Sequence, residues 1–210
     1  MLFRSALVEV VQAAIADLEE TRLFSGEGYL EELAYNRRGY HKDGRVDMYH
    51  GSWADDFNGV EGPRDGRLPI VFVERAAGGL KAIISSFAIH PNTMEQHCYY
   101  SADLVGSLRA FLERNLGPQV KLVYLTGAAG NQAPSQLENN PTGYQPWREE
   151  SGWQRAGVYL GAEILKTMAR PMEPMVSQKL EVEQALVQIP IRPWTASLKP
   201  EEWEQGGFKD

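Results

Sequence analysis

Residues 69–89, PIVFVERAAGGLKAIISSFAI, decide how the rest of the sequence is interpreted. Two runs rich in β-branched and aromatic residues, 69–75 and 80–89, flank the small-residue segment 76–79. This pattern predicts a β-hairpin. Because the second run is apolar almost without interruption, we expect a strand that is covered on both faces.

Helical and strand-like patterns alternate on the C-terminal side of this hairpin. Apolar residues recur at helical spacing over 102–116 and 151–169, and a buried strand is predicted between them at 120–125. The alternating segment 178–191 predicts a further long strand. Since strands alternate with helices, the sequence predicts an α/β fold, a mixed β-sheet flanked by helices on both faces.

The N-terminal side is less regular. An apolar stripe predicts a helix over about residues 4–19. Gly26 and Gly28 interrupt the pattern, and the weakly alternating segment 29–38 is interpreted as a strand. Residues 39–67 are rich in Gly, Asp and Arg and are interpreted as a long surface excursion, a kind of segment that is often functional or mobile.

The length of 210 residues corresponds to one ordinary globular domain. We expect residues 1–210 to form a single, incomplete domain. One helix opens directly at Met1, and another begins near residue 197, shortly before the sequence stops. Missing strands would leave sheet edges exposed, so the isolated chain is expected to self-associate.

Composition excludes several classes of protein. The formal net charge of −7 argues against nucleic-acid binding, which requires a basic face. No apolar run approaches the ~20 residues of a transmembrane helix. No cleavable signal peptide is recognisable, so the compartment stays open. The single cysteine, Cys98, excludes an internal disulfide and a multi-cysteine zinc site.

Two predicted strands end in residues that could carry chemistry, at the edge of an α/β sheet where ligands gather. The first strand delivers His90, and Pro91 stops it. An imidazole there is either a hydrogen-bonded structural side chain or a metal ligand or acid–base group. The second strand runs into the small-residue segment 126–131, which is either a tight turn or an anion nest.

Other polar residues give weaker indications. Arg37 and Arg38 end the strand predicted at 29–38 and either face solvent or bind a carboxylate or phosphate in a forked geometry. Ser101 or Asp103 is interpreted as a helix N-cap. The histidines without short metal-binding spacing are interpreted as loop residues, and the nearby aspartates as solvated: His41, His50, His97, Asp47, Asp55 and Asp56.

Four short motifs, taken in order, resemble the neutral/alkaline (non-lysosomal) ceramidase family over roughly residues 4–195. The segment 86–94 (SFAIHPNTM) is similar to the family's FAxHPxSM stretch, and 100–106 (YSADLVG) to its SxDxxG segment. The segment 34–37 (AYNR) resembles its asparagine-arginine motif, and 130–134 (GNQAP) stands where the family has GDxSP.

The resemblance implies roles for individual residues. His90 would be a zinc ligand, and zinc would polarise an amide carbonyl and lower the pKa of a bound water toward ~7. Arg37 would steady an oxyanion or a substrate oxygen. Asn131 or Gln132 would orient water or substrate, because Ala133 replaces the family's serine and has no hydroxyl. The family holds zinc with two histidines, a glutamate and a tyrosine, of which only His90 has a matching position here.

Three hypotheses follow. The resemblance favours a zinc-dependent hydrolase that acts on a small-molecule or lipid-like amide, or an ester. The ligand count favours a non-catalytic fragment or binding module, because catalytic zinc normally needs three protein ligands. The third is an unrelated α/β protein with an anion site at 127–132. Convergence of His90, Arg37 and Asn131 in one cleft would favour the hydrolase. A His90 that is buried and bonded to backbone, or that faces solvent alone, would favour the module.

Overall fold

The hairpin predicted at residues 69–89 lies inside the largest sheet of the computed structural model, which describes residues 2–95, 97–98, 100–175 and 181–189. In chain order the elements are α1 (Leu2–Ala16), β1 (Thr21–Tyr29), β2 (Tyr35–Asn36), β3 (Arg38–His41), β4 (Val46–Met48), β5 (Phe57–Val60), β6 (Arg67–Arg75), β7 (Leu80–Phe87), α2 (Asp103–Leu116), β8 (Lys121–Thr126), β9 (Gln132–Ala133), a 3₁₀ turn (Pro146–Arg148), α3 (Gly152–Met168) and β10 (Glu173–Pro174).

The large sheet is mixed, which confirms the predicted α/β class. Its strand order is β10-β1-β6-β7-β8 among the described residues. The hairpin strands β6 and β7 pair antiparallel, with Phe72 opposite Ile83. The last pair, β7 and β8, is parallel, with Phe87 opposite Thr126. Helix α2 makes the crossover between these parallel strands, as such a connection requires. His90 therefore follows the carboxyl end of β7 beside the carboxyl end of β8.

One face of the sheet forms the core with two helices. Phe72, Ile83 and Phe87 are buried together with Leu108 of α2 and Leu160 of α3. Helices α2 and α3 pack against this face. None of the helices in the described ranges combines the length and the apolar composition of a membrane span.

The opposite face of the sheet is more open in the described part of the chain. Ile84 of β7 is half-buried, and its neighbours in β8, Val123 and Leu125, are 46% and 52% exposed. The side chains of α1 described from residue 4 onward are exposed. The two-sided covering expected for β7 is therefore complete only on the side of α2 and α3.

The strand predicted at 29–38 is wrong in position. β1 lies earlier, at Thr21–Tyr29, and contains Gly26 and Gly28, which the sequence pattern had suggested as breaks. A Cβ atom on Gly28 would lie 2.6 Å from Cγ of Glu163, and one on Gly26 would lie 2.8 Å from Cγ2 of Thr167. The glycines therefore allow α3 to approach the strand closely.

The surface excursion expected at 39–67 contains a small sheet that the sequence pattern does not predict. β3 pairs antiparallel with β4 and with β5, in the order β4-β3-β5. The connection between β3 and β4 contains Asp43-Gly44, and Gly44 has φ +88°. An Asp-Gly pair at such a position is a strong hairpin signal, because glycine adopts positive φ without strain.

The chain divides into two compact units, Met1–Gln178 and Lys179–Asp210. The described part of the second unit, residues 181–189, contains no helix or strand. The strand predicted at 178–191 is therefore wrong over these residues: Val182 and Leu186 are 85% and 97% exposed, without a paired strand. The helix expected near residue 197 lies outside the described residues.

Candidate functional site

His90 is fixed by one backbone carbonyl. Its backbone N–H donates to the carbonyl oxygen of Gln132 at 3.0 Å, and its ring Nδ1 lies 2.9 Å from the same oxygen. A carbonyl only accepts, so Nδ1 carries the hydrogen and, in the neutral ring, Nε2 presents its lone pair. This is the arrangement by which a backbone carbonyl commonly orients a metal-ligating histidine.

Arg37 is anchored on the same segment of chain. Its backbone N–H donates to the carbonyl oxygen of Asn131 at 2.8 Å, and its Nη2 donates to that of Gly130 at 3.1 Å. Its Nη1 reaches the hydroxyl of Tyr49 at 3.4 Å. Its Nε is buried and has no hydrogen-bond partner in the described structure. Nη1 and Nη2 each carry a second N–H, so the guanidinium keeps donors beyond these two contacts.

The pairing of β2 with β9 brings these groups together. Asn36 lies opposite Gln132, and Tyr35 lies opposite Ala133. Gln132 is 3% exposed. Its Nε2 donates to Oδ1 of Asn131 at 2.9 Å, and its Oε1 is buried without a described hydrogen-bond partner. Ala133 is fully buried, so position 133 presents no surface to a substrate.

The predicted residues surround one segment, 130–132, and two of them line a cavity. Asn131 and Gln132 line a cavity of about 520 Å³ together with Tyr29 and residues 63–67. Arg37 and His90 are not among the lining residues of that cavity. His90 and Arg37 thus meet at the backbone of residues 130–132, and the bond of His90 to a backbone carbonyl is one of the features expected for the module.

The described residues do not complete a zinc centre around His90. Among them, no group of three or more His, Cys, Asp or Glu side chains at ligand distance includes His90. Zinc in proteins is held by three or four protein ligands. The donor set at His90 thus does not by itself fit the metal that the resemblance implies.

A different group of residues does lie at ligand distance, on the small sheet. His41 ends β3, His50 follows β4, and Asp56 precedes β5; their ligand atoms all lie within 4.8 Å of one another. Nδ1 of His41 is 2.7 Å from Oδ2 of Asp56, and Nε2 of His50 is 3.2 Å from Oδ1 of Asp56. The interpretation as a loop residue is wrong for His41, which ends β3, and is confirmed for His50, which lies in the loop after β4.

His41 lies between two carboxylates, and these contacts change the pKa values in the group. Its Nε2 is 2.8 Å from Oδ2 of Asp47, so each ring nitrogen faces a carboxylate. The hydrogen bond to Asp56 raises the pKa of His41 above its ordinary value, and that to Asp47 adds to the effect. The hydrogen bond to His41 lowers the pKa of Asp56. Asp47 and Asp56 are 57% and 51% exposed, as expected for solvated carboxylates, and each also faces a ring nitrogen of His41.

The sequence carried a signal for this group that the pattern analysis missed. Asp43-Gly44 marks the hairpin that turns β3 back into β4. Once that hairpin is recognised, His41 and Asp47 fall on adjacent strands. The spacing of His41, His50 and Asp56 along the chain gives no such indication, because β5 returns to β3 through a longer connection.

Comparisons with known proteins show which solved structures have a similar fold. No protein-family model and no curated protein matches the sequence. Among solved structures, the neutral ceramidase from Pseudomonas aeruginosa matches with a TM-score of 0.60 and 22% identity, over 81% of this chain and 26% of that chain. A ceramidase complexed with C2 matches with a TM-score of 0.59 and 21% identity, over 80% of this chain and 25% of that chain.

These matches define a ceramidase-like fold. The chain spans about a quarter of the length of the solved ceramidases that it matches. Sequence identity of 21–22% establishes the architecture and leaves the chemistry to the site itself.

Proposed function

We propose that the chain provides part of the active site of a ceramidase-like, metal-dependent hydrolase that cleaves an amide or ester bond. The observation that carries the proposal is the shared anchoring of His90 and Arg37 on the backbone of residues 130–132. The fold likeness to neutral ceramidases supports a lipid-like N-acyl amide as the substrate class.

Each residue has a role that its geometry supports. The guanidinium of the half-buried Arg37 would donate through Nη1 or Nη2 to the substrate oxygen on which negative charge develops. The free Oε1 of Gln132 would accept a hydrogen bond from a water or an amide N–H, and Asn131 would orient Gln132. His90 would offer Nε2 as one metal ligand, and the remaining ligands are not found among the described residues.

The second candidate is a non-catalytic binding module. It is favoured by the single donor at His90 and by the buried Ala133 in place of a serine hydroxyl. Under this alternative the chain keeps the fold and binds a ligand without cleaving it. Both candidates exclude a role for residue 133 as nucleophile, because alanine has no reactive group.

The test is hydrolysis of a fluorogenic N-acyl amide and the matching ester, with short and long acyl chains, in zinc-containing buffer. Arg37→Gln is expected to lower kcat/KM by about 10²-fold, as for the loss of an oxyanion donor. Arg38→Gln is the matched control, because Arg38 pairs with Glu61 at the surface. Ala133→Ser is expected to leave the rate unchanged, since that position is buried.

The outcome separates the two candidates. Turnover that falls with Arg37→Gln and His90→Ala but not with Arg38→Gln supports the hydrolase. No turnover of any amide or ester, or equal loss in the Arg37 and Arg38 variants, contradicts it. Binding of a non-hydrolysable N-acyl amide without turnover then supports the module.

A further inference from the structure

The group His41, His50 and Asp56 shares no residue with the site around His90, and its donors are chemically those of a transition-metal site. Two imidazoles and one carboxylate suit zinc and related divalent ions. Calcium and magnesium prefer all-oxygen surroundings. The donors also come from three separate places along the small sheet, so a bound ion would cross-link β3, the turn after β4 and the residue before β5.

Two of the distances between donor atoms are slightly shorter than the distances between the ligand atoms of a zinc ion. In a tetrahedral zinc site with ligands at ~2.0–2.2 Å, neighbouring donor atoms lie about 3.3 Å apart. The nitrogen–oxygen separations here are 2.7 Å from His41 to Asp56 and 3.2 Å from His50 to Asp56. The two distances reach different oxygens of Asp56, and the three ligand atoms lie within 4.8 Å of one another, so shifts of the side chains would be needed to reach this spacing.

His50 supplies a second, independent observation. Its Nε2 is buried, and no hydrogen-bond partner of acceptable geometry reaches it in the described structure. Oδ1 of Asp56 lies 3.2 Å away, at an ion-pair distance that does not meet the geometry of a hydrogen bond. A buried polar atom without a partner costs free energy, and a metal ion between His50 and Asp56 would remove that cost.

Asp47 already lies where its carboxylate can accept a hydrogen bond from the second ring nitrogen of His41. Metal-ligating histidines usually donate their second N–H to a carboxylate or carbonyl, which fixes the ring. If His41 binds metal through Nδ1, its Nε2–H points at Oδ2 of Asp47, 2.8 Å away. Arg45 opposes the ion, since its Nη2 is 3.4 Å from Nδ1 of His41. The Arg45 side chain is 63% exposed and can turn into solvent.

The small sheet holds the imidazoles in position and leaves an entry path. The side chains of His41 and His50 are 10% and 11% exposed, and their rings stack nearly parallel with centroids 3.7 Å apart, so one ring would turn for both nitrogen lone pairs to meet at an ion. Gly39 allows this packing, because a Cβ atom there would overlap the carbonyl oxygen of His50. Asp56 is 51% exposed, so an ion would enter from its side.

We propose that His41, His50 and Asp56 bind one divalent transition-metal ion, best matched by Zn²⁺, with Asp47 as the outer-shell acceptor of His41. Three protein ligands leave a fourth position for water. The site continues into Tyr49, which precedes His50, has φ +62° and accepts hydrogen bonds from Arg37 and Arg148. A bound ion would therefore fix the turn that carries Tyr49, whose hydroxyl accepts a hydrogen bond from Arg37. The binding proposal itself does not rest on the proposed hydrolase function.

The experiment uses Zn²⁺ and Co²⁺ as probes with the full chain. The wild-type protein is stripped with a chelator, reloaded and dialysed, and its metal content, thermal midpoint and visible Co²⁺ d–d absorption are measured. We expect one equivalent of zinc and a higher thermal midpoint. His50→Gln and Asp56→Asn are expected to weaken zinc binding at least 100-fold, and Asp47→Asn 10- to 100-fold. Circular dichroism checks that the variants are folded.

Arg45→Gln and His90→Ala are the controls. Both keep His41, His50 and Asp56, so one equivalent of zinc is expected to remain. No zinc in the folded wild-type protein overturns the proposal. Zinc lost in His90→Ala and kept in His50→Gln and Asp56→Asn also overturns it and places the metal in the proposed hydrolase site. Zinc lost only in the small-sheet variants supports the proposal, whether or not the protein hydrolyses a substrate.

Discussion

The buried carboxylate of Asp103 accepts a hydrogen bond from the hydroxyl of Thr93 at 2.7 Å and so joins the loop after His90 to the first turn of α2. Its other oxygen accepts the backbone N–H of Met94 at 2.8 Å. Ser101, predicted as a possible helix cap, accepts the Asp103 N–H at 2.9 Å. Asp103 thus holds the chain on both sides of the loop.

Replacement of Asp103 by alanine is expected to destabilise the protein. It removes an ionised acceptor and leaves the Thr93 hydroxyl and the Met94 N–H without their partner in a buried place, at a cost of about 3 kcal/mol in the free energy of unfolding. Urea unfolding measures the change. Glu113→Ala, on the exposed side of α2, is the control and is expected to cost less than about 1 kcal/mol. Equal losses in the two variants would show that Asp103 does not anchor the loop.

Gly28 is expected to tolerate no larger side chain. A Cβ there meets Cγ of Glu163 at 2.6 Å, and the Tyr29 N–H donates to Oε1 of the same glutamate at 3.3 Å. Gly28→Val therefore overpacks the contact between β1 and α3 and should lower the free energy of unfolding by about 2 kcal/mol. Glu27→Val is the control, because position 27 is exposed. A neutral Gly28→Val would mean that α3 can shift away from β1 without loss.

Much of the fold follows from local pattern. The hairpin of β6 and β7, helix α2, strand β8 and helix α3 occur where apolar periodicity predicts them. The sequence pattern gives a wrong position for the first strand, because a tertiary contact determines where that strand lies. Gly26 and Gly28 suggest breaks because glycine weakens strands in general. In this structure they serve the close approach of α3, which nothing near them in the sequence reveals.

The roles of the candidate site residues stay predictions, although their proximity is visible in the structure. The resemblance singles out His90, Arg37, Asn131 and Gln132, and the structure brings them to one segment of backbone. The group on the small sheet was not predicted. Its members become neighbours only through strand pairing at separations of 9 and 6 residues, and no metal motif has that spacing.

Tyr35 is expected to make stability fall at high pH. Burial raises the pKa of Tyr35 to about 12, and its hydroxyl donates to the Glu32 carbonyl at 2.9 Å. The folded state therefore holds this proton more tightly than the unfolded chain does. The stabilisation is complete below the unfolded value of about 10 and is lost as the pH rises toward 12.

The measurement is the urea midpoint as a function of pH across that window. Tyr35→Phe removes the titrating hydroxyl, so the decline should become shallower than in the wild type. Tyr29→Phe, at a tyrosine that is 54% exposed, is the control and should follow the wild-type slope. Parallel declines in the wild type and Tyr35→Phe would rule out Tyr35 as a source of the pH dependence. Burial also raises the pKa of Tyr124, so Tyr35→Phe should reduce the decline without abolishing it.

Strand β8 is where self-association is expected, through a second copy of the chain. It is the last strand in the order of the large sheet among the described residues, and Val123 and Leu125 on it are about half exposed. An edge strand with exposed apolar side chains can pair with the same edge of another copy. Leu125→Lys places a charge there and should shift the chain toward monomer in light scattering at rising concentration. Val158→Lys, at a similarly exposed apolar position on α3, should leave self-association unchanged. A wild-type chain that stays monomeric at every concentration would contradict self-association through β8. The twist or the short length of this edge strand would then protect it from pairing.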